Sequence, residues 1–393
     1  MTSTPTVAVV GLGAVGSMAL MALAKRGIAA VGFEQFGIGN DRGASGGETR
    51  MFRTSYVEGP EYVPLIMRAR ELWLELEEQS GMRLFHQSGH LTIGDPDSDL
   101  VKKVLHAAEV NGLTYDVWDA ATAAEKYPQV RVRPGEVVIF DRWGGLLRTH
   151  HSIVAATRIA ESLDAEVHPW TEVTEIRPGD DGVTLVAGGV SRRFDHVLVA
   201  TGPWITKLKP EWPVKVGRTE QHWFAVTGEF DYSPDVLPPI LRGREPGYVG
   251  EQKAYDSSVG SMPGPDGNSV KFGLVRDHSA AGDASIDDFE RHVSGQNIRK
   301  VEAKILDNLN GVYPSAIRAD AFFEGFVVDN QPLIGPIDDM PGVSVLAGFS
   351  GHGFKLAPYF GELGADLATG VELSEIAVRI FSPRRFDRAG VDA

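Results

Sequence analysis

The stretch Thr6–Glu34, TVAVVGLGAVGSMALMALAKRGIAAVGFE, decides the fold. Val7 to Val10 form a continuous apolar run too short for a helix of its own, which suits a strand buried on both faces of a parallel sheet. Gly11, Gly13 and Gly16 follow at G-x-G-x-x-G spacing. The first glycine permits a tight turn, the second lets a pyrophosphate approach the backbone, and the third lets helix and strand pack closely. A helix is expected from about Ala14 to Arg26, with Val15 in a first turn whose unpaired N–H groups and positive dipole end face a diphosphate. Gly27 is placed to end it. Ile28 to Phe33 reads as the second strand, and Glu34 closes it about 20 residues on, in position to accept both hydroxyls of an adenosine ribose. An acid there argues against a 2′-phosphate. The motif does not choose between NAD and FAD.

At 393 residues the chain has room for two domains, or for one large α/β domain with an insertion. Its 42% hydrophobic and 23% charged residues are ordinary for a soluble globular protein. The net charge of −15, with no long basic run, makes nucleic acid and anionic membrane surfaces poor partners. Cysteine is absent, which excludes disulfides, thiolate metal sites, cysteine nucleophiles and any flavin tethered through a cysteine sulfur. No secretory signal is visible before the first strand, and no apolar run approaches a membrane span, so a cytoplasmic location is the expectation. His150 and His151 lack a third ligand at metal spacing and read as loop residues, so no metal site is expected.

The loop Gln35–Glu48 is rich in glycine and contains Asn40, Asp41, Arg42 and Ser45; it can wrap a cofactor with free backbone N–H groups, or be a plain surface connection. In GETRMFRTSY, residues 47–56, Thr49, Arg50, Arg53 and Tyr56 follow. On a helical turn, Arg50 and Arg53 would share a face and offer two guanidinium groups to a carboxylate; the plainer alternative for Arg53 is a structural ion pair with Glu48 or Glu58. Glu61 to Ser80 predicts an amphipathic helix with Leu65, Ala69, Leu72 and Leu76 on one stripe and Gly81 as its stop. Met82 to Leu147, with a strand at His90 to Ile93 and a helix at Leu100 to Asn111, offers no constellation that carries chemistry.

Ser152 to Leu163 predicts another helix. Strand-like pieces follow at Glu166–Pro169, Glu172–Ile176 and Val183–Val186, with a hairpin turn at Gly179 to Gly182. Asp195 to Gly202 returns to the first sheet as a buried strand ending in Ala200-Thr201-Gly202, with Trp204 after it. Strands are expected at Gln221–Thr227, Gly247–Glu251 and Ser269–Gly273, and helices at Ile286–Val293 and Ile298–Leu309. Alternation puts Lys271 and Gly273 on one face and Val270 and Phe272 on the other. Val343 to Ala347 is a strand, GFSGHGFK at 348–355 is a glycine turn, and a helix is expected to begin near Ala357.

GFSGHGFK, taken with GLGAVG, GETRMFR, ATGPW and VKFG in this order, resembles the monomeric sarcosine oxidase and N-methyltryptophan oxidase family of FAD-dependent amine oxidases, within the D-amino-acid-oxidase-like superfamily. The resemblance runs from Val7 to Gly370 and implies FAD rather than NAD. It implies an α/β fold: a Rossmann-like, glutathione-reductase-type FAD domain over 1–81, 148–214 and 319–385, and an α+β substrate domain with a mixed antiparallel sheet over 82–147 and 215–318. It implies that Arg53 and Lys355 hold a substrate carboxylate, that Lys271 serves the reaction with oxygen, and that His352 and Arg50 lie beside the flavin ring. The turn Gly351, His352, Gly353, Phe354 and Lys355 would face the ring's pyrimidine end. Together with the glycine motif, Glu34 and Gln35, the implied cofactor-binding set includes Arg42, Ser45, Thr49, Val173, Ala200, Thr201, Gly202, Trp204 and Phe322.

Two departures qualify the resemblance. The family tethers FAD through a cysteine two positions before a substrate-facing tyrosine; here Phe322 and Glu324 stand in that register, so non-covalent FAD is expected. Val275 replaces a histidine near the substrate amine, which loosens any expectation of strict sarcosine specificity. If Glu324 faces the site it favours a substrate with a cationic or polyhydroxylated arm; otherwise it is a surface residue or a partner of Arg318 or Arg50. The expected activity is oxidation of a C–N bond in a secondary or N-alkylated amino acid, giving imine and hydrogen peroxide. The partners are then a small amino acid or amine and O2, on a monomer or small homo-oligomer. A dehydrogenase with another electron acceptor, a deaminating oxidase of primary or sugar-modified amino acids, and a non-enzymatic flavin carrier remain as alternatives.

Overall fold

The computed structural model describes residues 5–243, 258–275, 284–287 and 290–386. The apolar run at the start becomes the strand Thr6–Val10, flanked by His196–Val199 on one side and Ala29–Phe33 on the other, both parallel to it. Glu166–His168 extends the sheet beyond Ala29–Phe33, and Val343–Ala347 extends it beyond His196–Val199. Leu333–Pro336 closes that edge as its antiparallel member. Burial on both faces explains why these strands read as unbroken valine and alanine runs.

One face of this six-stranded sheet packs the helices Ala14–Lys25, Thr149–Ser162, Tyr62–Ser80 and Gly353–Thr369 into a single core, with Leu20, Trp73, Leu147 and Phe360 fully buried. Pro358 stands in the second turn of the last of these, where it removes one i→i−4 hydrogen bond, to the Phe354 carbonyl. The other face is covered by the antiparallel strands Val173–Gly179, Gly182–Ala187 and Val190–Phe194, which bury Val183, Leu185 and Phe194 against it. Helices on one face and an antiparallel sheet on the other make this a layered α/β unit around a parallel sheet.

The second sheet has eight strands in the order Val312–Val327, Val214–Val226, Ser269–Val275, Ser258–Pro263, Ile240–Arg242, His90–Gly94, Val137–Asp141 and Asp116–Trp118. All its pairings are antiparallel except that between Ile240–Arg242 and His90–Gly94. A small sheet of Thr49–Phe52, Gly145–Arg148 and Phe85–His86 bridges the two layers. The expected domain boundaries at 147/148, 214/215 and 318/319 fall inside strands of these sheets.

Several local expectations are corrected. Thr49–Phe52 is a strand, so the three-residue spacing of Arg50 and Arg53 does not put them on a common helical face. The expected helix at Ile286–Val293 is absent where residues are described: 286–287 form a turn and 290–293 have no regular structure. His150 and His151 occupy the first turn of the helix Thr149–Ser162 rather than a loop. The helix expected near Ala357 begins at Gly353. The expected strand Gly247–Glu251 and the side chain of Val275 lie outside the described residues. No helix among the described residues is long and apolar enough to cross a membrane, and among them no group of three acids or histidines is arranged to hold a metal ion.

Candidate active site

A cavity of about 980 Å³ runs from the glycine turn, along the C-terminal ends of the parallel strands, to the face of the second sheet. Gly11 has φ +89°, and a Cβ there would stand 2.7 Å from the Ala200 carbonyl oxygen; a Cβ on Gly16 would overlap the Gly11 carbonyl. Both glycines are therefore demanded by packing. Gly13 differs, since a Cβ there would meet nothing nearer than Ser45 Oγ at 3.9 Å. The backbone at Gly13 faces open space at the N-terminus of the helix Ala14–Lys25, the place a diphosphate would take.

Glu34 is 6% exposed and accepts from the Leu12 and Phe36 N–H groups, each at 2.9 Å. Burial raises its pKa against the pull of those two hydrogen bonds. Two atoms on the cavity wall, Thr201 Oγ1 and Gln221 Oε1, are buried without a hydrogen-bond partner among the described residues. Such orphans are rare, and two on one wall mark a polar ligand. Open backbone at a helix N-terminus, an acid at the ribose position and these two orphans fit a bound adenine dinucleotide.

Beyond this cradle the wall carries four cations. Arg50, on the strand Thr49–Phe52, donates to the carbonyls of Thr49 (2.8 Å) and Ala44 (2.7 Å), and burial lowers its pKa to about 10. Lys271 is 2% exposed and donates to the carbonyls of Gly47 (2.9 Å) and Thr49 (2.6 Å). Desolvation pushes it well below the usual lysine range. Val270 and Phe272 join the core of the second sheet while Lys271 and Gly273 line the cavity, as alternation predicts.

Arg53 donates to the Ser55 carbonyl at 2.5 Å and to both oxygens of Glu58, at 3.1 and 3.3 Å. Its guanidinium and the Lys355 ammonium lie 5.3 and 5.2 Å from the centre of the Tyr56 ring. Lys355 has no acid within ion-pair distance among the described residues, and burial brings its pKa down to about 7. Burial raises the Glu58 carboxyl, but Arg53, Lys355 and His352 outweigh it and hold the group at about 2. His352 faces the Asn330 carbonyl through Nε2 at 2.9 Å, which puts the proton on Nε2 and leaves Nδ1, 3.3 Å away, to accept from the Tyr56 hydroxyl.

The expected site residues Gly11, Gly13, Ala14, Val15, Glu34, Gln35, Ser45, Arg50, Arg53, Val173, Ala200, Thr201, Gly202, Trp204, Lys271, Phe322, Glu324, Gly351, His352, Gly353, Phe354 and Lys355 all line the cavity. Three do not. Gly16 serves packing, Arg42 lies over the Phe36 ring outside the cavity, and Thr49 is buried with only its carbonyl turned to Lys271 and Arg50. Glu324 is not a partner of Arg318, which pairs with Glu48 and Asp320. Its Oε1 accepts the Gly351 N–H at 2.6 Å, so one backbone donor of the glycine turn is already engaged.

Sequence reasoning missed Tyr56 as the plate under two cations, Gln221, and Asp141. Asp141, fully buried, holds the segment after Arg53 through Thr54 N (2.5 Å), Thr54 Oγ1 (2.8 Å) and Ser55 N (2.9 Å). Of the two acids that the sequence offers Arg53 as ion-pair partners, Glu58 takes the role, while Glu48 pairs with Arg318.

A dinucleotide cradle opening onto a chamber lined by buried cations is the arrangement of a nucleotide-cofactor oxidoreductase. The chain belongs to the DAO family of FAD-dependent oxidoreductases, whose family model matches residues 6–367. FAD is its cofactor. It is 30% identical to a monomeric sarcosine oxidase of Streptomyces avermitilis, over 99% of this chain and all of that protein. It is 29% identical to an N-methyl-L-tryptophan oxidase of Salmonella arizonae, over 92% of this chain and 93% of that protein. Among solved structures, an L-proline dehydrogenase from P. horikoshii superposes with a TM-score of 0.83 at 19% identity, covering 99% of both chains. The Tyr258Phe mutant of NikD, described as an unusual amino acid oxidase essential for nikkomycin biosynthesis, superposes at 0.80 with 21% identity, covering 96% of this chain and 98% of that one. These two likenesses concern the fold.

Proposed function

We propose that the protein oxidises a C–N bond in a secondary or N-alkylated amino acid, yielding an imine that water hydrolyses and passing the electrons to O2 as hydrogen peroxide. The observation that carries this reading is Lys355, an ammonium in the wall of the cavity, beside Arg53, with no acid of its own. A carboxylate arriving there raises the pKa of Lys355 and fixes the substrate at one end. Arg53, already balanced by Glu58, orients that carboxylate with less gain in charge.

FAD, when bound, supplies the two-electron acceptor chemistry. The residues hold it on Gly11, Gly13, Glu34 and the turn at Gly351–Lys355, and Phe322, packed against Gly46, leaves the attachment non-covalent. Arg50, Lys271 and His352 present their polar groups to the same chamber. Burial, with the charges of Arg50 and Arg318 beside it, holds Lys271 well below the usual lysine range, and a negative charge developing next to it favours its proton, which suits a role in the oxygen reaction. Positioning and electrostatics carry the rate, since the amine is oxidised in its neutral form and little proton transfer is required.

In this reading residues 1–81, 148–214 and 319–385 hold FAD while 82–147 and 215–318 shape the substrate side. The protein works in the cytoplasm as a monomer or small homo-oligomer. Peroxide release across a panel of N-methyl and cyclic amino acids tests the proposal. Substrate consumption only with a quinone or protein acceptor would make it a dehydrogenase, and no flavin reduction by any of the panel would leave a carrier.

A further inference from the structure

Most acids on the cavity wall are already committed or lie at its outer rim. Glu34 spends both oxygens on backbone N–H groups, Glu58 is paired with Arg53, Glu220 with Arg218, and Asp329 with Arg385. Glu172 and Glu175 are exposed. Glu324 is different. It points from the strand Val312–Val327 into the cavity, two residues beyond Phe322 and on the same face. Its Oε1 is fixed by the Gly351 N–H, and among the described residues its Oε2 has no hydrogen bond and its carboxylate no ion pair within 4.0 Å.

A carboxylate held by one oxygen, with the other turned to a closed chamber, lacks a donor that a ligand can bring. The charges facing it are Arg50, two of whose donors go to the Thr49 and Ala44 carbonyls, and Lys355, which the reading above reserves for the substrate carboxylate. Neither closes on Glu324. A ligand cation there gains a charge-assisted hydrogen bond in low dielectric, which a neutral alkyl arm cannot form and which leaves the carboxylate stranded when absent.

We propose that Glu324 selects the substrate: its free oxygen binds a cationic nitrogen on the side chain, so the preferred substrate is a secondary amino acid with a basic arm. The inference rests on the assignment of Lys355 and Arg53 to the substrate carboxylate. Carboxylate and arm then meet opposite charges at two points of the cavity wall, Lys355 and Glu324, and only the α-nitrogen reacts.

The test uses the holoenzyme and two ligands without an α-amine, hexanoate and 6-aminohexanoate, titrated against the absorbance of the bound flavin. The wild type is expected to bind the amino compound about tenfold tighter, and Glu324→Gln to bring that ratio to about one. In turnover, N-methyl-lysine should exceed N-methyl-norleucine in kcat/KM by a similar factor that Glu324→Gln removes. A ratio near one in the wild type, or one kept in the variant, overturns the inference, and the wild-type ratio stands even if the variant fails to fold. An equal loss for both substrates in Glu324→Gln also overturns it, because the acid would then act on the reacting nitrogen. Failure to oxidise any N-methyl amino acid defeats the proposed reaction instead, while the two carboxylates still report on Glu324.

Discussion

Arg53 donates to both carboxylate oxygens of Glu58 from the wall of the cavity, at 3.1 and 3.3 Å, while Lys355, which shares the Tyr56 ring with it, has no such partner among the described residues. Glu58 thus neutralises one cation of the pair and, through space, supports the proton on the other.

This sets the pH dependence of carboxylate binding. Lys355 titrates at about 7, so the dissociation constant of a simple carboxylate such as acetate should be flat in acid and rise above neutrality. Glu58→Gln removes an anion that holds the Lys355 pKa up, and the rise should move to lower pH. Flavin absorbance during acetate titrations at several pH values measures both curves; an unmoved curve in the variant would separate Glu58 from Lys355.

Acid stability follows from the same residue. Glu58 has a folded pKa of about 2 against 4.5 for an unperturbed glutamate, so its contribution is present above about pH 4.5 and is lost as pH falls towards 2. Glu58→Gln should flatten that limb, costing on the order of 2 kcal/mol at neutral pH and little at pH 2. Urea melts at the two pH values compare them.

Asp141 should act on substrate binding from outside the cavity. Its carboxylate gathers the Thr54 and Ser55 N–H groups that fix Arg53 and its Ser55 contact. Asp141→Asn puts an amide donor against those N–H groups and should cost about 2–4 kcal/mol of stability. KM should rise for amino acids and stay level for the corresponding decarboxylated amines. A uniform change in both would mean that only the fold was weakened.

The glycines of the first turn should separate by role. Gly13→Ala fits without a clash and should leave the melting temperature of the FAD-free protein unchanged while FAD retention falls about tenfold or more. Gly16→Ala collides with the Gly11 carbonyl and should lower both. Calorimetry with and without added FAD reads the difference.

Lys271→Met should slow flavin reoxidation by O2 far more than anaerobic reduction by substrate, as stopped-flow traces of the two half-reactions would display. Equal losses would count against an oxygen role. After acid precipitation of the wild type, yellow colour should remain in the supernatant, because Phe322 offers no tether.

What was legible in the chain was what is local. Thr6–Glu34 carries strand, turn, helix and strand in contiguous periodicity, and Val343–Ala347 was bounded correctly because a short, mostly apolar run between Gly342 and Gly348 permits little else. Motif order brought Arg53, Lys271 and Lys355 to one cavity. Arg50 and Arg53 were misread as helical because i,i+3 spacing is silent about the strand partner, Gly145–Arg148, that imposes the extended form. The reach of Val214–Val226 was hidden for a similar reason: its polar centre, Arg218 to Gln221, faces the cavity and so lacks the hydrophobic signal of a strand. Asp141 was invisible, since a buried acid serving backbone N–H groups 86 and 87 residues away leaves no mark in its own neighbourhood.

The neighbours of the first strand carry a consequence for synthesis. Thr6–Val10 pairs with His196–Val199, and beyond that with Val343–Ala347, so the glycine turn leaves the ribosome long before the residues that press against it. At roughly 5–20 residues per second, tens of seconds separate Gly11 from Ala200 and from the turn at Gly351. A nascent chain therefore holds the dinucleotide motif without the ability to use it, and FAD capture becomes one of the last events in the life of the folding polypeptide.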